Sequence, residues 1–213
     1  MAADDATARA EQPPPPPPPP SPPRERKWLP TFGVLLVMAF VSLGGYVFAG
    51  ETGAAVAREP RLGDPVQVVE GLTIRPLQSW QAGDPLEINL QDVVLEGVRL
   101  SGGAAVLDVS AAPGASDPAG IWNVYIQGYV AAEAEQLRIS EELEPFTTDQ
   151  GIQGVRGSYL GVFPGVASPI EGEVAAIVMP DGLGVIAEGW APEGQLLSHL
   201  EDIRAMTATL ERG

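Results

Sequence analysis

Hydrophobic residues occur in two arrangements, one long unbroken run near the N-terminus and many short runs after it. Residues 29–48 form the long run, and they carry no charge. A helix of about 20 residues spans about 30 Å, which matches the hydrocarbon core of a bilayer. Trp28 and Tyr46 lie near its ends, where aromatic rings prefer the headgroup boundary. We predict a transmembrane helix within residues 28–50 that contacts lipid through residues 29–48. The alternatives are a cleaved signal peptide and a buried core helix. The leader and the apolar run are both longer than in a signal peptide, and a run of this length without a polar face argues against a core helix.

The flanking charges give this helix an orientation. Arg24, Arg26 and Lys27 precede the helix, whereas the first cation after it is Arg58. The positive-inside rule therefore predicts a single-pass protein of the cell membrane with its N-terminus in the cytoplasm and its C-terminal part outside. Because the charge difference is small, the inverted topology remains the alternative.

Residues 1–27 have no apolar periodicity and are predicted to be a disordered, proline-rich cytoplasmic tail. An uninterrupted proline run extends from Pro13 to Pro20. Such a run adopts polyproline II and reaches about 25 Å at ~3.1 Å per residue. A stiff spacer is the favoured interpretation. The alternative is a docking segment, with Pro13 and Pro20 among its contacts to a cytoplasmic partner.

After the long run, apolar and polar residues alternate over short stretches, as half-buried strands require. Two pairs of such stretches each flank a turn sequence, Ser101-Gly102-Gly103 or Pro180-Asp181-Gly182. Each pair predicts a β-hairpin. The four arms are residues 93–100, 104–111, 171–179 and 183–190.

The remaining segments complete the predicted domain. Residues 51–63 are small, polar and aperiodic, and we predict a linker there and a folded domain over residues 64–213. Gly83-Asp84-Pro85 predicts a turn. Further strands are predicted at residues 66–69, 72–75 and 155–163.

Two helices are predicted where the apolar spacing changes to three and four residues. Asp117 is a good N-cap and Pro118 a good first helical residue, and the helix-prone sequence continues to Pro145. The second helix covers residues 193–211. Its apolar face is Leu196, Leu200, Ile203, Thr207 and Leu210.

Composition excludes several kinds of chemistry. The chain contains no cysteine, so disulfides, thiol nucleophiles and thiolate metal sites are excluded. All of the net charge of −16 belongs to the residues after the tail, which argues against binding nucleic acid. The glutamates of residues 133–144 lack the pattern of a calcium loop, and the glycines of residues 151–165 lack that of a phosphate-binding loop. His199 is the only histidine and is interpreted as structural. We predict no catalytic residue, cofactor or metal.

The order of elements and three sequence stretches carry a resemblance. These are QSW at residues 78–80, GGAAVLDVSAA at residues 102–112, and GLGVIAEGWAPEGQLLSHLEDIRAMTATL at residues 182–210. They resemble the PsbP-like (Mog/PsbP) family, in particular envelope proteins of high-GC Gram-positive bacteria. The resemblance covers residues 64–212. It implies an α+β fold, an antiparallel-sheet α/β/α sandwich, here following a single N-terminal transmembrane helix. It also implies binding or assembly rather than catalysis, and no site residues can be carried over. Many envelope members are lipoproteins, but this chain lacks the cysteine that accepts a lipid.

The favoured function is therefore a non-catalytic binding or assembly domain outside the membrane, with an envelope protein or a small ligand as partner. The alternatives are a scaffold that acts through the polyproline tail, and a hydrolase that uses two carboxylates. Trp80, Trp122 and Trp190 are by default core residues. If any contacts a partner, we expect Trp122 or Trp190, because each lies at the start or end of an element.

Overall fold

The computed structural model describes residues 61–90 and 93–213. The predicted tail, the predicted transmembrane helix and residues 51–60 of the predicted linker lie outside the described residues. Within the described part of the chain, no helix is long and apolar enough to cross a membrane.

Strands and short helices follow one another in the described residues. The strands are β1 (Val66–Val69), β2 (Leu72–Ile74), β3 (Gln81–Leu90), β4 (Val93–Gly102), β5 (Ala105–Pro113), β6 (Gln136–Ile139), β7 (Glu144–Thr147), β8 (Gln153–Val162), β9 (Ile170–Val178), β10 (Leu183–Pro192) and β11 (Glu211–Arg212). The helices are α1 (Pro118–Tyr125), a π-helical turn (Ile126–Val130), α2 (Ala131–Glu133), a 3₁₀ turn (Leu196–Ser198) and α3 (Leu200–Ala208).

A large antiparallel sheet forms the centre of the domain. Its strand order is β3-β4-β5-β10-β9-β8-β6, and β7 also pairs with β8. The short strands β6 and β7 lie along different halves of β8, since Ile139 is opposite Tyr159 whereas Glu144 is opposite Arg156. At the other edge, the pairing of β3 with β4 shifts register between Ala82 and Pro85. A second, three-stranded sheet has the order β1-β2-β11.

Two hydrophobic clusters cover the two faces of the large sheet. On one face, Leu72 of the small sheet and Met206 of α3 belong to a cluster with Leu107 and Val185 of the large sheet. On the opposite face, Tyr125 at the end of α1 packs in a second cluster that includes Ile186. Both faces are therefore covered, and the domain is a layered α+β sandwich, as the sequence predicts.

Both predicted hairpins are confirmed, as the pairs β4–β5 and β9–β10. Their turns contain Gly103 with φ 61° and Gly182 with φ 81°, a left-handed conformation that glycine adopts at no steric cost. Asp117 is confirmed as the N-cap of α1, and its carboxylate accepts hydrogen bonds from the N–H groups of Ala119 and Gly120.

Three predicted elements are wrong in extent or type. The Gly83-Asp84-Pro85 turn lies inside β3, at the register shift opposite β4. The helix predicted to continue to Pro145 ends at Glu133, and strands β6 and β7 follow because both pair with β8. The predicted helix over residues 193–211 is shorter, with a 3₁₀ turn before α3 and strand β11 after it.

Candidate functional site

A pocket of about 400 Å³ opens on the α1 side of the large sheet. We call it the helix-side pocket. Its walls include aromatic and apolar side chains from the π-helical turn, from β10 and from the β8–β9 connection. Its floor is polar and comes from three neighbouring strands. The wall residues include Tyr129, Phe163, Val166 and Trp190, the floor residues are Arg99, Asp108 and Glu188, and Glu133 also lines the pocket.

The π-helical turn supplies Tyr129 and Val130 to the pocket wall. The N–H of Ala131 donates to the carbonyl of Ile126, which is the wider hydrogen-bond spacing of a π-helix. Single π-helical turns within α-helices occur frequently at functional sites. The ring of Tyr129 lies 5.2 Å from the ring of Tyr125, so that one tyrosine faces the pocket beside another that is buried.

An ion pair forms one side of the floor. Arg99 is opposite Asp108 across β4 and β5, and its Nε and Nη2 atoms donate to Oδ1 and Oδ2 of Asp108, both at 2.7 Å. The Asp108 side chain is 6% exposed and that of Arg99 47% exposed. Trp190 Nε1 also donates to Asp108 Oδ2 at 3.2 Å. The hydrogen bond to Asp108 raises the pKa of Arg99, which therefore stays charged.

A buried glutamate forms the other side. Glu188 of β10 is opposite Asp108 of β5. The hydroxyls of Tyr125 and Tyr159 donate to its two oxygens at 2.7 and 2.6 Å. Burial raises the pKa of Glu188, the two tyrosine hydrogen bonds oppose that shift, and the nearby Asp108 adds to it. Burial and the negative charge of Glu188 also raise the pKa of Tyr125 and of Tyr159, so both remain hydrogen-bond donors at neutral pH.

Tyr159 reaches Glu188 because the residue beneath its ring is a glycine. Tyr159 of β8 is opposite Gly172 of β9, and Gly172 is in turn opposite Trp190 of β10. A Cβ atom at position 172 would lie 2.2 Å from Cε1 of Tyr159. The absence of a Cβ lets the phenol ring lie across β9 and place its hydroxyl on the next strand.

The two tryptophans singled out by sequence have different surroundings. Trp190 is half-buried and lines the helix-side pocket. Trp122 is 6% exposed and its Nε1 donates to the carbonyl of Val174 at 3.0 Å, as the default core interpretation expects. Contact of either tryptophan with a partner stays a prediction. Pro13 and Pro20 lie outside the described residues, so their contacts stay predictions too.

Sequence reasoning missed the polar floor. Asp108 alternates with Leu107 along its strand and so lies on the opposite face, but α1 covers that face and Asp108 is buried. Glu188 interrupts the otherwise apolar strand β10, which is the signal that could have identified a buried charge. His199 has its ring centroid 6.4 Å from that of Trp80, in an edge arrangement, outside this pocket.

The floor is suited to holding a ligand rather than to proton transfer. Each carboxylate already accepts hydrogen bonds from the protein on both oxygens. Across residues 61–90 and 93–213, no group of three or more histidine or acidic side chains is placed to hold a metal ion. A second groove of about 470 Å³ lies beside Leu196 and Leu200 and shares Tyr159 with the helix-side pocket, but neither Asp108 nor Glu188 lines it.

Comparison with known proteins gives structural likeness only. Neither a family model nor a curated protein matches the sequence. The structure is similar to cyanobacterial PsbP (CyanoP) from Synechocystis, with 9% identity, a TM-score of 0.48, and 76% of this chain and 98% of that chain covered. It is similar to the Ran-binding protein Mog1p of Saccharomyces cerevisiae, with 14% identity, a TM-score of 0.45, and 70% and 94% covered.

A third similar structure is LpqN of Mycobacterium tuberculosis, which is involved in cell envelope biogenesis. It shares 12% identity at a TM-score of 0.42, with 75% of this chain and 96% of that chain covered. PsbP and Mog1p share their names with the family that the sequence resembles. The similarity of their structures to this chain is a similarity of fold. At such scores and identities it carries no argument about activity or partner. The transmembrane anchor and the high-GC Gram-positive source stay predictions.

Proposed function

We propose that this chain is a membrane-anchored binding protein whose domain lies outside the membrane and holds a small ligand in the helix-side pocket. The observation that carries the proposal is the pocket itself, with aromatic walls over a buried polar floor. Binding sites for small molecules are typically concave and mostly apolar, with a few fixed polar groups, and have volumes of about 300–1,000 Å³. The helix-side pocket has about 400 Å³ and that composition.

The floor supports binding because it is held in place before any ligand arrives. Asp108 is fixed by the Arg99 guanidinium and by Trp190, and Glu188 is fixed by two tyrosine hydroxyls. No buried side-chain polar atom among the described residues lacks a hydrogen-bond partner. A preformed floor lowers the ordering cost that a ligand must offset on binding.

The carboxylate hydrolase is the second candidate, since Asp108 and Glu188 are neighbours and burial raises the pKa of Glu188. A raised carboxyl pKa beside a pocket is a common property of general acids. However, both oxygens of Glu188 accept tyrosine hydroxyls and the residue is 5% exposed. A general acid must reach the substrate atom directly or through one water. Binding without catalysis is therefore the preferred proposal.

The location outside the membrane rests on the charge-free run at residues 29–48 and on the cations before it. Because the chain has no cysteine, single cysteines can be introduced as unique labels. Val124→Cys is suitable for the domain, since Val124 is 46% exposed, and Ala10→Cys is suitable for the tail. A membrane-impermeant maleimide should label Val124→Cys on intact cells and Ala10→Cys only after permeabilisation. The reverse pattern would overturn the topology.

Ligand binding is tested by native mass spectrometry of the full-length protein extracted from its own membranes. Val166→Arg places a long charged side chain at the pocket, and Val124→Arg is a matched control. Both valines are 46% exposed, and only Val166 lines the pocket. We expect a bound small molecule in the unchanged protein and in Val124→Arg, and its loss in Val166→Arg. Absence of any bound molecule in the unchanged protein, or equal binding in both variants, would contradict the proposal.

The scaffold alternative makes its own prediction. If the tail is only a spacer, deletion of residues 13–23 leaves ligand binding and cellular function intact. Loss of function on that deletion, with ligand binding unchanged, would favour a cytoplasmic docking role.

A further inference from the structure

We infer that the helix-side pocket selects an organic cation, an amine or quaternary ammonium with an apolar body, over neutral and anionic molecules of the same shape. This inference rests on the proposed binding function and names the chemical class of the ligand. Three features of the pocket carry the inference: the pairing of its arginine with an aspartate, its remaining acidic groups and its aromatic walls.

The positive charge of the pocket's arginine is already balanced by a carboxylate. Arg99 is the only cation among the described residues that line the pocket. Its guanidinium is engaged with both carboxylate oxygens of Asp108, at 2.7 Å each. The guanidinium has further N–H groups and is 47% exposed, but an anion that reached them would compete with Asp108 for a positive charge that the ion pair already balances. The arginine therefore neutralises Asp108, and the pair leaves no net positive charge in the floor to favour an anion.

Acidic groups remain after this pairing. Glu133 is exposed and lines the pocket from the end of α2, and Glu188 lies in the floor. A cation in the pocket would also favour the ionised form of Glu188, whose pKa is raised mainly by burial. The domain as a whole carries the entire net charge of −16, which raises the local concentration of cations near its surface.

The aromatic walls add attraction that is specific for cations. Tyr129, Phe163 and Trp190 line the pocket, and the face of an aromatic ring is its negative region. The protein already uses one of these faces, since Arg99 Cζ lies 5.9 Å from the centre of the Trp190 ring. A bare metal ion would gain little here, because the described residues contain no group of three or more metal-ligating side chains. An ammonium group attached to an apolar body fits both the charge and the walls.

The test is isothermal titration calorimetry of the full-length protein in a neutral maltoside detergent with three matched probes. Phenylbutylammonium, phenylbutanol and phenylbutanoate share one apolar body and differ in the charge of the end group. We expect the ammonium to bind about tenfold more tightly than the alcohol, from about 1.4 kcal/mol of cation–π and ionic attraction, and the carboxylate to bind most weakly. Equal or tighter binding of the alcohol or carboxylate overturns the inference, and so does failure of all three probes to bind.

Two exposed glutamates, one at the end of α2 and one two residues after it, provide matched variants. Glu133→Gln removes the charge that lines the pocket, and Glu135→Gln removes a neighbouring charge that does not. Glu133→Gln should weaken the ammonium about two- to fivefold, the range of an exposed ion pair, and should leave the alcohol unchanged. Glu135→Gln should change neither probe, and equal effects of both variants would overturn the inference. If the native ligand is lost in Val166→Arg but the ammonium has no advantage, the binding function stands and the cation class fails.

Discussion

Replacement of Tyr159 by phenylalanine tests the buried carboxylate at the centre of the pocket floor. The substitution removes one hydroxyl and leaves the ring, so the packing of the phenol over Gly172 is retained. Glu188 Oε1 then loses a donor at 2.6 Å, while Oε2 keeps the hydroxyl of Tyr125 at 2.7 Å. The variant therefore isolates one hydrogen bond in a buried site.

The size of the effect depends on the charge of Glu188. A hydrogen bond to a neutral group contributes about 1 kcal/mol to stability, and one to a charged group about 1.5–3 kcal/mol. The hydroxyl of Tyr159 lowers the pKa of Glu188, which means that it stabilises the ionised form more than the neutral form. We therefore expect Tyr159→Phe to lose about 1 kcal/mol where Glu188 is protonated and about 1.5–3 kcal/mol at higher pH, where it is ionised.

Urea unfolding of the domain within the full-length chain measures this difference across a pH series that begins near the ordinary pKa of 4.5 and extends to alkaline pH. Tyr129→Phe is the control, because Tyr129 lines the same pocket but is not one of the two donors to Glu188. It should change the free energy of unfolding by no more than about 0.5 kcal/mol. The reasoning is refuted if the two variants are equally stable, or if Tyr159→Phe loses more stability at the lower pH.

Three further variants have defined outcomes. Gly172→Ala should lower the free energy of unfolding by about 1–3 kcal/mol, because its Cβ would lie 2.2 Å from the ring of Tyr159. Gly83→Ala is the control, since its nearest contact would be 3.3 Å, and a similar loss in both variants contradicts the packing argument. Glu188→Gln should become more stable relative to the unchanged protein as pH rises above the ordinary pKa of 4.5, because ionisation of a group whose pKa is raised in the folded state destabilises that state. A difference in urea midpoint that does not change with pH contradicts this. Asp117→Ala should lose about 1 kcal/mol in the same unfolding assay through its N-cap hydrogen bonds to α1, and no loss would mean that solvent replaces them.

The hairpins and the start of α1 were predictable because their determinants are local. In β4–β5 and β9–β10, alternation and a glycine turn occur within about 20 residues. Strand β3 was missed because Gly83-Asp84-Pro85 is a turn sequence by local preference, and only pairing with β4 makes it extended. Strand β6 was assigned to a helix by propensity, although Leu137 and Ile139 alternate and both pack against the cluster beneath α1.

The pocket floor was less predictable because its residues meet over long sequence separations. Tyr125 and Tyr159 lie 63 and 29 residues from Glu188, and no local pattern links either of them to it. The acid within an apolar strand indicates that a partner must exist, since a buried charge needs one, but not which residue it is. Trp190 was singled out for its position at a strand end, and the structure adds that it lines the pocket.

The two interrupted edges of the large sheet have a consequence for molecules held close together. At one edge β3 carries Pro85 and a register shift, and at the other the border of β8 is divided between two four-residue strands. Neither edge offers a long, regular row of free backbone donors and acceptors to a strand from another molecule. Copies crowded along a membrane, as the predicted anchor would hold them, are therefore poor templates for one another. The interrupted edges of the large sheet therefore oppose edge-to-edge growth into fibrils.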